Sequence, residues 1–509
     1  MNKKWNVGEF GVYPGASAAD CSKGICMALQ KASEEPGTVE IVFPRGDYEI
    51  GADDKIAAFP VYAKQIKNVV LRGCGSRLLV TSPFNGVMAF EESENVTVDG
   101  FEVKYKAAPW TQGTITDVNT VNGTFILESD EGYDLLADER FSCEGGAFGA
   151  VMDRDNPRLL KHSGPEQIYL KSYEKIGNRR YIITPGDPAH VQNGRIEPGD
   201  KIVYTNRGMS GAVFSFYKSR NITVTNITAH ECGNCLFVAA YIGGDIVIDN
   251  YRAELAEGAY ILSNADGVHI QGLRGRLIME NCCFEGLLDD CLNIYQFPAT
   301  VREHVSEYEL KIHQAEGNLP LEGDTVMFYR HDDGVKRITA RVEAVRERDT
   351  ENNTCIIRID SACDGIVTGG SYAESDEMYI LDSMAGGTVI RNNVFRTSRR
   401  YGLLLKTVDT LVEGNVFLDL GGDAVNFTAD TTGTMDRGAE GPYAERVAVR
   451  NNRINNVCYL NSRQRQTKWA SGGAIGIYEH NEDITVENNT FENMNGAKLA
   501  FYGSRVFIG

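Results

Sequence analysis

Short runs in which apolar and polar residues alternate, closed by Asn or Gly, recur along the whole chain. They read Val69-Val70-Leu71-Arg72-Gly73, Val96-Thr97-Val98-Asp99-Gly100, Ile222-Thr223-Val224-Thr225-Asn226 and Ile246-Val247-Ile248-Asp249-Asn250. Five more begin at Leu277, Thr388, Thr410, Val447 and Ile484. Alternation over so few residues predicts short strands with one buried face. The closing Asn or Gly suits a corner that must tolerate positive φ or satisfy turning backbone. Most successive starts lie 22–37 residues apart with no helical pattern between them, the period of a β-solenoid. A second strand is expected about a dozen residues into each coil, as at Leu292-Asn293-Ile294 and Ala424-Val425-Asn426. Stacked asparagines such as Asn392, Asn451 and Asn488 are expected to form a ladder inside the coil. The fold class is therefore all-β, a right-handed parallel β-helix.

Two gaps are too long for one coil: 126 residues from Val96 to Ile222 and 111 from Leu277 to Thr388. Both contain further strand-like runs, such as Thr124-Phe125-Ile126-Leu127 and Thr325-Val326-Met327-Phe328-Tyr329. These predict two small antiparallel β-barrels inserted into the helix. The expected layout is a cap and first coils over 1–104, a barrel over 105–208 and coils over 209–298. A second barrel over 299–380 and terminal coils over 381–509 follow. The amphipathic stretch from Ser22 to Glu34 is the expected capping helix, since a solenoid needs a polar lid on its first coil.

Composition narrows the partners. The 509 residues carry 70 acidic and 51 basic side chains, a net charge of −19 that disfavours nucleic acid, anionic membrane and polyanionic substrates. No window is apolar enough to span a bilayer, and the start Met1-Asn2-Lys3-Lys4-Trp5 lacks the apolar core of a secretory leader. The twelve cysteines are irregularly spaced, and Cys232-Gly233-Asn234-Cys235 has no second pair at zinc spacing, so reduced structural thiols are expected. These features together predict a cytoplasmic protein, and nothing in them points to a cofactor. Self-association is left open.

The candidate chemistry lies in carboxylates. Asp266, in Ser263-Asn264-Ala265-Asp266-Gly267, precedes one predicted strand, and Asp289-Asp290 precede the equivalent strand one coil later. Strands in neighbouring coils lie ~4.8 Å apart, so the three should cluster on one face. A pair one coil apart is expected to sit ~6.5–9.5 Å apart, with room for a water opposite a leaving group. Crowded acids cannot all ionise freely, so one should hold a proton and act as a general acid. Solvated corner acids and a Ca²⁺ site are the competing readings. Other cleft candidates are His269, Asn293, Arg399, Arg400, Lys406, Asp423, Trp469 and Glu479, alongside Tyr478 and His480. Arginines and carboxylates can bind sugar hydroxyls, and an aromatic face can stack on a pyranose.

Asn264-Ala265-Asp266-Gly267 followed by Asp289-Asp290 resembles the three-aspartate arrangement of glycoside hydrolase family 28, the polygalacturonases. The spacing, with two barrel-like insertions, is more similar to family 110, the α-1,3-galactosidases. The Gly-His-Gly and Arg-Ile-Lys of family 28 are absent, and Gly402-Leu403-Leu404-Leu405-Lys406 keeps only the lysine, so no grip on a uronate is expected. Where family 110 carries a His after the acid pair, this chain reads Asn293-Ile294-Tyr295-Gln296. The resemblance implies metal-independent, inverting exo-hydrolysis of a terminal α-galactose. It implies Asp289 as the acid and Asp266 and Asp290 as the groups that position and deprotonate water, with the labels exchangeable. Asn264 joins the expected substrate contacts. A polysaccharide lyase or epimerase and a non-catalytic glycan-binding protein are the alternatives on the same scaffold.

Overall fold

The computed structural model describes residues 3–52, 56–142, 147–165, 167–428, 440–460, 472–502 and 505–509. The nine predicted strands stack in one continuous register: Val69, Val96, Ile222, Ile246 and Leu277 are successive parallel partners. The ladder then runs from Ile278 to Val389 to Leu411, and from Thr410 to Val447 to Ile484. Three strands of this ladder lie beyond the sequence pattern: Lys3 pairs with Val39 and Val39 with Val69 at one end, and Ile484 pairs with Val506 at the other. Opposite this long sheet runs a ten-stranded parallel sheet that includes Val268–Leu273, Leu292–Tyr295, Leu403–Leu405 and Val425–Phe427. The coils wind right-handed, as parallel strand-crossover-strand connections do. One apolar core fills them from Val7 to Val486. At its centre Tyr251, Phe284, Phe395 and Phe417 stack from coil to coil, with ring centroids 5.5, 6.3 and 5.3 Å apart.

The asparagine ladder exists, but one residue further along. Asn392, Asn451 and Asn488 hold φ of 57°, 56° and 52° and turn outward at the corners. The residue after each left-handed corner points inward, so the internal ladder is Asn393, Asn415, Asn452 and Asn489. Each side-chain amide donates to the next at 2.9–3.0 Å, while the oxygens cap the backbone N–H of the coil before. Asn415→Ala strips the acceptor from the buried Asn393 N–H and amide. It is expected to lose at least ~1–3 kcal/mol of stability in chemical denaturation, with kcat for any bound saccharide unchanged.

Both insertions are closed six-stranded barrels, with strands running from Thr111–Asn119 to Lys201–Thr205 and from Ala299–Ser306 to Glu377–Ile380. The capping helix runs Ala18–Ser33, starting before the predicted Ser22 because the Ser17 side chain accepts the Asp20 N–H and sets the N-cap there. Its Cys21, Ile25, Leu29 and Ala32 join the main core. Among the described residues no helix is long and apolar enough to cross a membrane.

Candidate active site

The site is built where chain turns into the ten-stranded sheet. Val268, Leu292, Leu403 and Val425 are successive partners. The residues two positions earlier therefore form a column across four coils: Asp266, Asp290, Tyr401 and Asp423. Backbone bonds lock it, from Gly267 N to Asp290 O, Cys291 N to Tyr401 O and Gly402 N to Asp423 O. Parallel bridges from Cys232 to Ser263 to Leu287 hold the preceding turns in the same register.

Asp266, Asp289 and Asp290 meet, all buried, with nearest carboxylate oxygens within 4.8 Å of one another. That is closer than the separation expected from coil spacing. Asp266 takes the Asp290 N–H on Oδ1 at 3.1 Å and faces His269 Nδ1 with Oδ2 at 2.6 Å. Asp290, 2% exposed, accepts the Tyr401 N–H at 3.1 Å. Asp289 faces three guanidiniums: Arg207 at 2.6 Å, Arg400 at 3.2 Å and Arg399 at 3.7 Å.

These surroundings push the neighbouring acids apart. Burial raises the Asp290 carboxyl to about 7; Arg400 opposes it, while the Asp289 and Asp266 charges add to it. Burial pushes on Asp289 too, yet Arg207, Arg400 and Arg399 together hold it well below the usual carboxylate range. The family resemblance implies Asp289 as the protonated acid; the three arginines are why the raised carboxyl is Asp290 instead. Burial depresses the His269 imidazole, but its bond to Asp266 outweighs that and raises it.

Arg207 carries no signal in the sequence. It follows the last strand of the first barrel, in the turn Arg207–Met209, and also donates to the Asn264 carbonyl at 2.8 Å. The barrel is seated so as to deliver it: Leu160, Phe148 and Trp110 pack against Leu288, Tyr459 and Leu460 of the coils. Beside it Asn264 is 1% exposed, and both its amide atoms, like Arg207 Nε, are buried without a hydrogen-bond partner in the described structure. Unpaired buried groups of this kind beside the acids suit a hydroxylated ligand.

Further along the sheet, Lys406 Nζ reaches Asn293 Oδ1 at 3.3 Å and Glu440 Oε2 at 3.1 Å, and Asn293 also donates to Glu440. Glu440, like Arg207, has no sequence signal, because no repeat or motif surrounds it. Asp423 sits in the predicted column, but its carboxylate accepts from Asn426 at 2.7 Å and the Cys458 thiol at 3.4 Å. Glu479 does not join the site. It follows the far end of strand Gly473–Ile477, opposite the edge that carries the aspartates, and bonds nothing among the described residues. Trp469 lies outside the described residues.

Among the described residues, two donor trios have spacing that a metal could use, Cys235/Asp266/His269 and the three aspartates. Their donor atoms already engage protein partners: Asp266 the imidazole and Asp289 the arginines. We assign neither a cation.

No family model matches the chain. An α-1,3-galactosidase B of Akkermansia muciniphila is 24% identical over 96% of this chain, which spans 63% of that relative's length. One from Parabacteroides distasonis is 23% identical over 96% of the chain and 82% of the relative. Among solved structures, the family 28 exopolygalacturonase of Yersinia enterocolitica is 12% identical, with a TM-score of 0.38 over all of this chain and 78% of that one. Over nearly its whole length, this chain resembles the α-1,3-galactosidases of glycoside hydrolase family 110.

Proposed function

We propose that the protein is an inverting exo-glycoside hydrolase that removes terminal α-linked galactose from oligosaccharides. One observation carries the reading: adjacent carboxyls in one buried cluster are driven in opposite directions, Asp290 toward the protonated form and Asp289 toward the ionised one. Environments that split neighbouring acids in this way supply an acid and a carboxylate at one pH. Asp290 gives its proton to the glycosidic oxygen as the C1–O bond breaks. Asp266 and Asp289 hold a water whose oxygen bonds C1, and Asp266 takes the water's proton. Asp289, clamped by arginines, is too weak a base for that step and orients the water instead. Asn264 and Arg207 Nε are free to take sugar hydroxyls, and Asn293, Lys406 and Glu440 extend the polar floor. Among the described residues, the arginines near the acids already face Asp289 and not an open anion site. That favours a neutral sugar.

The close approach of the three acids favours a second reading, a retaining mechanism, since carboxyl pairs of retaining enzymes stand ~5–5.5 Å apart. Proton NMR during hydrolysis of an aryl α-galactoside separates the two. Initial release of β-galactose is expected. Initial release of the α-anomer would assign one aspartate as a nucleophile. Absence of turnover across a panel of aryl α- and β-glycosides, with saccharide binding intact, would leave a glycan-binding protein.

A further inference from the structure

We propose that Asp266 and His269 form a unit holding a single mobile proton, and that Glu316, carried by the second barrel, is the positioning residue that imposes this through a one-way hydrogen-bond chain. The proposal deepens the reading above, in which Asp266 receives the proton of water.

The chain is fixed from its far end. Glu316 lies between the barrel strands Glu309–His313 and Thr325–Tyr329, and an ionised carboxylate can only accept. It accepts from the Tyr241 hydroxyl at 2.8 Å and from Gln271 Nε2 at 3.0 Å. Gln271 must then turn its amide oxygen the other way, toward the Tyr295 hydroxyl at 3.3 Å. An amide oxygen also only accepts, so the Tyr295 proton is committed to it. The Tyr295 oxygen, 3.0 Å from His269 Nε2, is left as an acceptor, and Nε2 must carry hydrogen.

With Nε2 protonated, Nδ1 of a neutral ring is bare. It faces Asp266 Oδ2 at 2.6 Å, where two lone pairs repel. One proton must therefore sit between them, on Nδ1 as an imidazolium–carboxylate pair or on Oδ2 as a neutral pair. A histidine beside a carboxylate ordinarily has a third state, a neutral ring donating from Nδ1. The chain from Glu316 denies it. His269 therefore cannot release the shared proton by switching tautomer, and Asp266 can take the proton of water only from the form in which the shared proton sits on Nδ1.

The charged and titratable groups around the ring are consistent with that state. Asp266, Asp289 and Glu440 supply negative charge toward it. Arg207 is occupied by Asp289, Lys406 by Glu440 and Asn293, and Cys235 stands beside Asp266. Tyr295 meets the ring edge-on at 5.3 Å, so a phenylalanine there keeps the packing and removes only the hydroxyl.

The test is ¹⁵N NMR of histidine-labelled protein, with His269→Gln identifying one signal among eight. Wild type is expected to show His269 protonated at Nε2, with the second proton shared toward Asp266. Tyr295→Phe frees the neutral ring to donate from Nδ1. Its tautomer should switch and its titration midpoint should fall by roughly 1–2 pH units, the scale of one charge-assisted hydrogen bond. Glu316→Gln lets the chain reverse and should move both readouts the same way. The other seven histidines report whether each variant keeps its fold. A neutral wild-type ring protonated only at Nδ1, or a tautomer and midpoint unchanged in both variants, would overturn the proposal. The spectrum requires no turnover, so its outcome is independent of whether the protein cleaves galactosides.

Discussion

Asp290→Asn is expected to lower kcat on a natural oligosaccharide by roughly 10²–10⁴-fold, the usual contribution of a general acid. The loss should shrink sharply for a nitrophenyl galactoside or a galactosyl fluoride, whose leaving groups need no proton. Asp266→Asn should impair both substrate kinds alike, because attack by water limits both. The wild-type pH profile carries the same assignment. Asp290 donates only when protonated, so kcat/KM should fall as pH rises through about 7. The stability linkage has the same sign. A carboxyl raised by folding contributes stability that is full below its unfolded value and lost as pH rises through the folded one. The Asn variant cannot ionise, and its unfolding free energy should lack the decline between ~4 and ~7 that wild type shows. If Asp289→Asn instead gave the leaving-group-dependent loss, the acid would be Asp289, as the family resemblance implies.

Gly267→Ala is the second large effect, and it contains no chemistry. Gly267 follows Asp266, and a Cβ there would lie 2.6 Å from the Cys291 carbonyl oxygen and 2.7 Å from the Phe284 ring. One obstacle is the backbone of the coil that carries Asp289 and Asp290, and the other is a ring in the central stack. Neither can yield without moving the acids apart. Gly402 repeats the situation two coils on, 2.5 Å from the Ala424 oxygen. Overpacking of this kind costs ~1–3 kcal/mol. Displacing a reacting group by ~1 Å costs about 10²-fold in rate. A melting temperature lowered by a few degrees with a kcat loss near 10²-fold is expected. Full activity would show that the coils can slide without disturbing the site.

Much of the fold is legible because a solenoid writes its geometry locally. Each coil repeats the same alternation and corner, so nine strands and their partners can be read from residues a few positions apart, and so can the meeting of Asp266 with Asp289 and Asp290. The inward asparagines lie one residue past the expected ones because, where the sequence reads Asn-Asn, it does not show which of the two turns inward. The left-handed φ of Asn392 decides it. Arg207, Glu316 and Glu440 are illegible for another reason. They belong to no repeat, and they reach the site only because two barrels and a long connection return the chain to it. The division of labour between the acids is illegible with them: the carboxylate spacing is visible, but the guanidinium of Arg207 beside Asp289 is not.

The way each barrel closes has a consequence for how the molecule assembles during synthesis. Thr111 pairs with Tyr204 in the first barrel, and Ala299 pairs with Met378 in the second, so each excursion leaves and rejoins the coils through adjacent strands. The strand holding Asn293 and Tyr295 must nevertheless wait for Leu403–Leu405, 111 residues later, before its open edge is covered. Closing so long an unstructured loop is slow, and an uncovered parallel edge invites pairing with other chains. A barrel that folds first brings its own ends together and reduces that wait to the docking of two neighbouring strands. The insertions thus act as clasps on the growing solenoid. A mutation that slows barrel folding should appear first as aggregation of nascent chains, before any change in the finished protein.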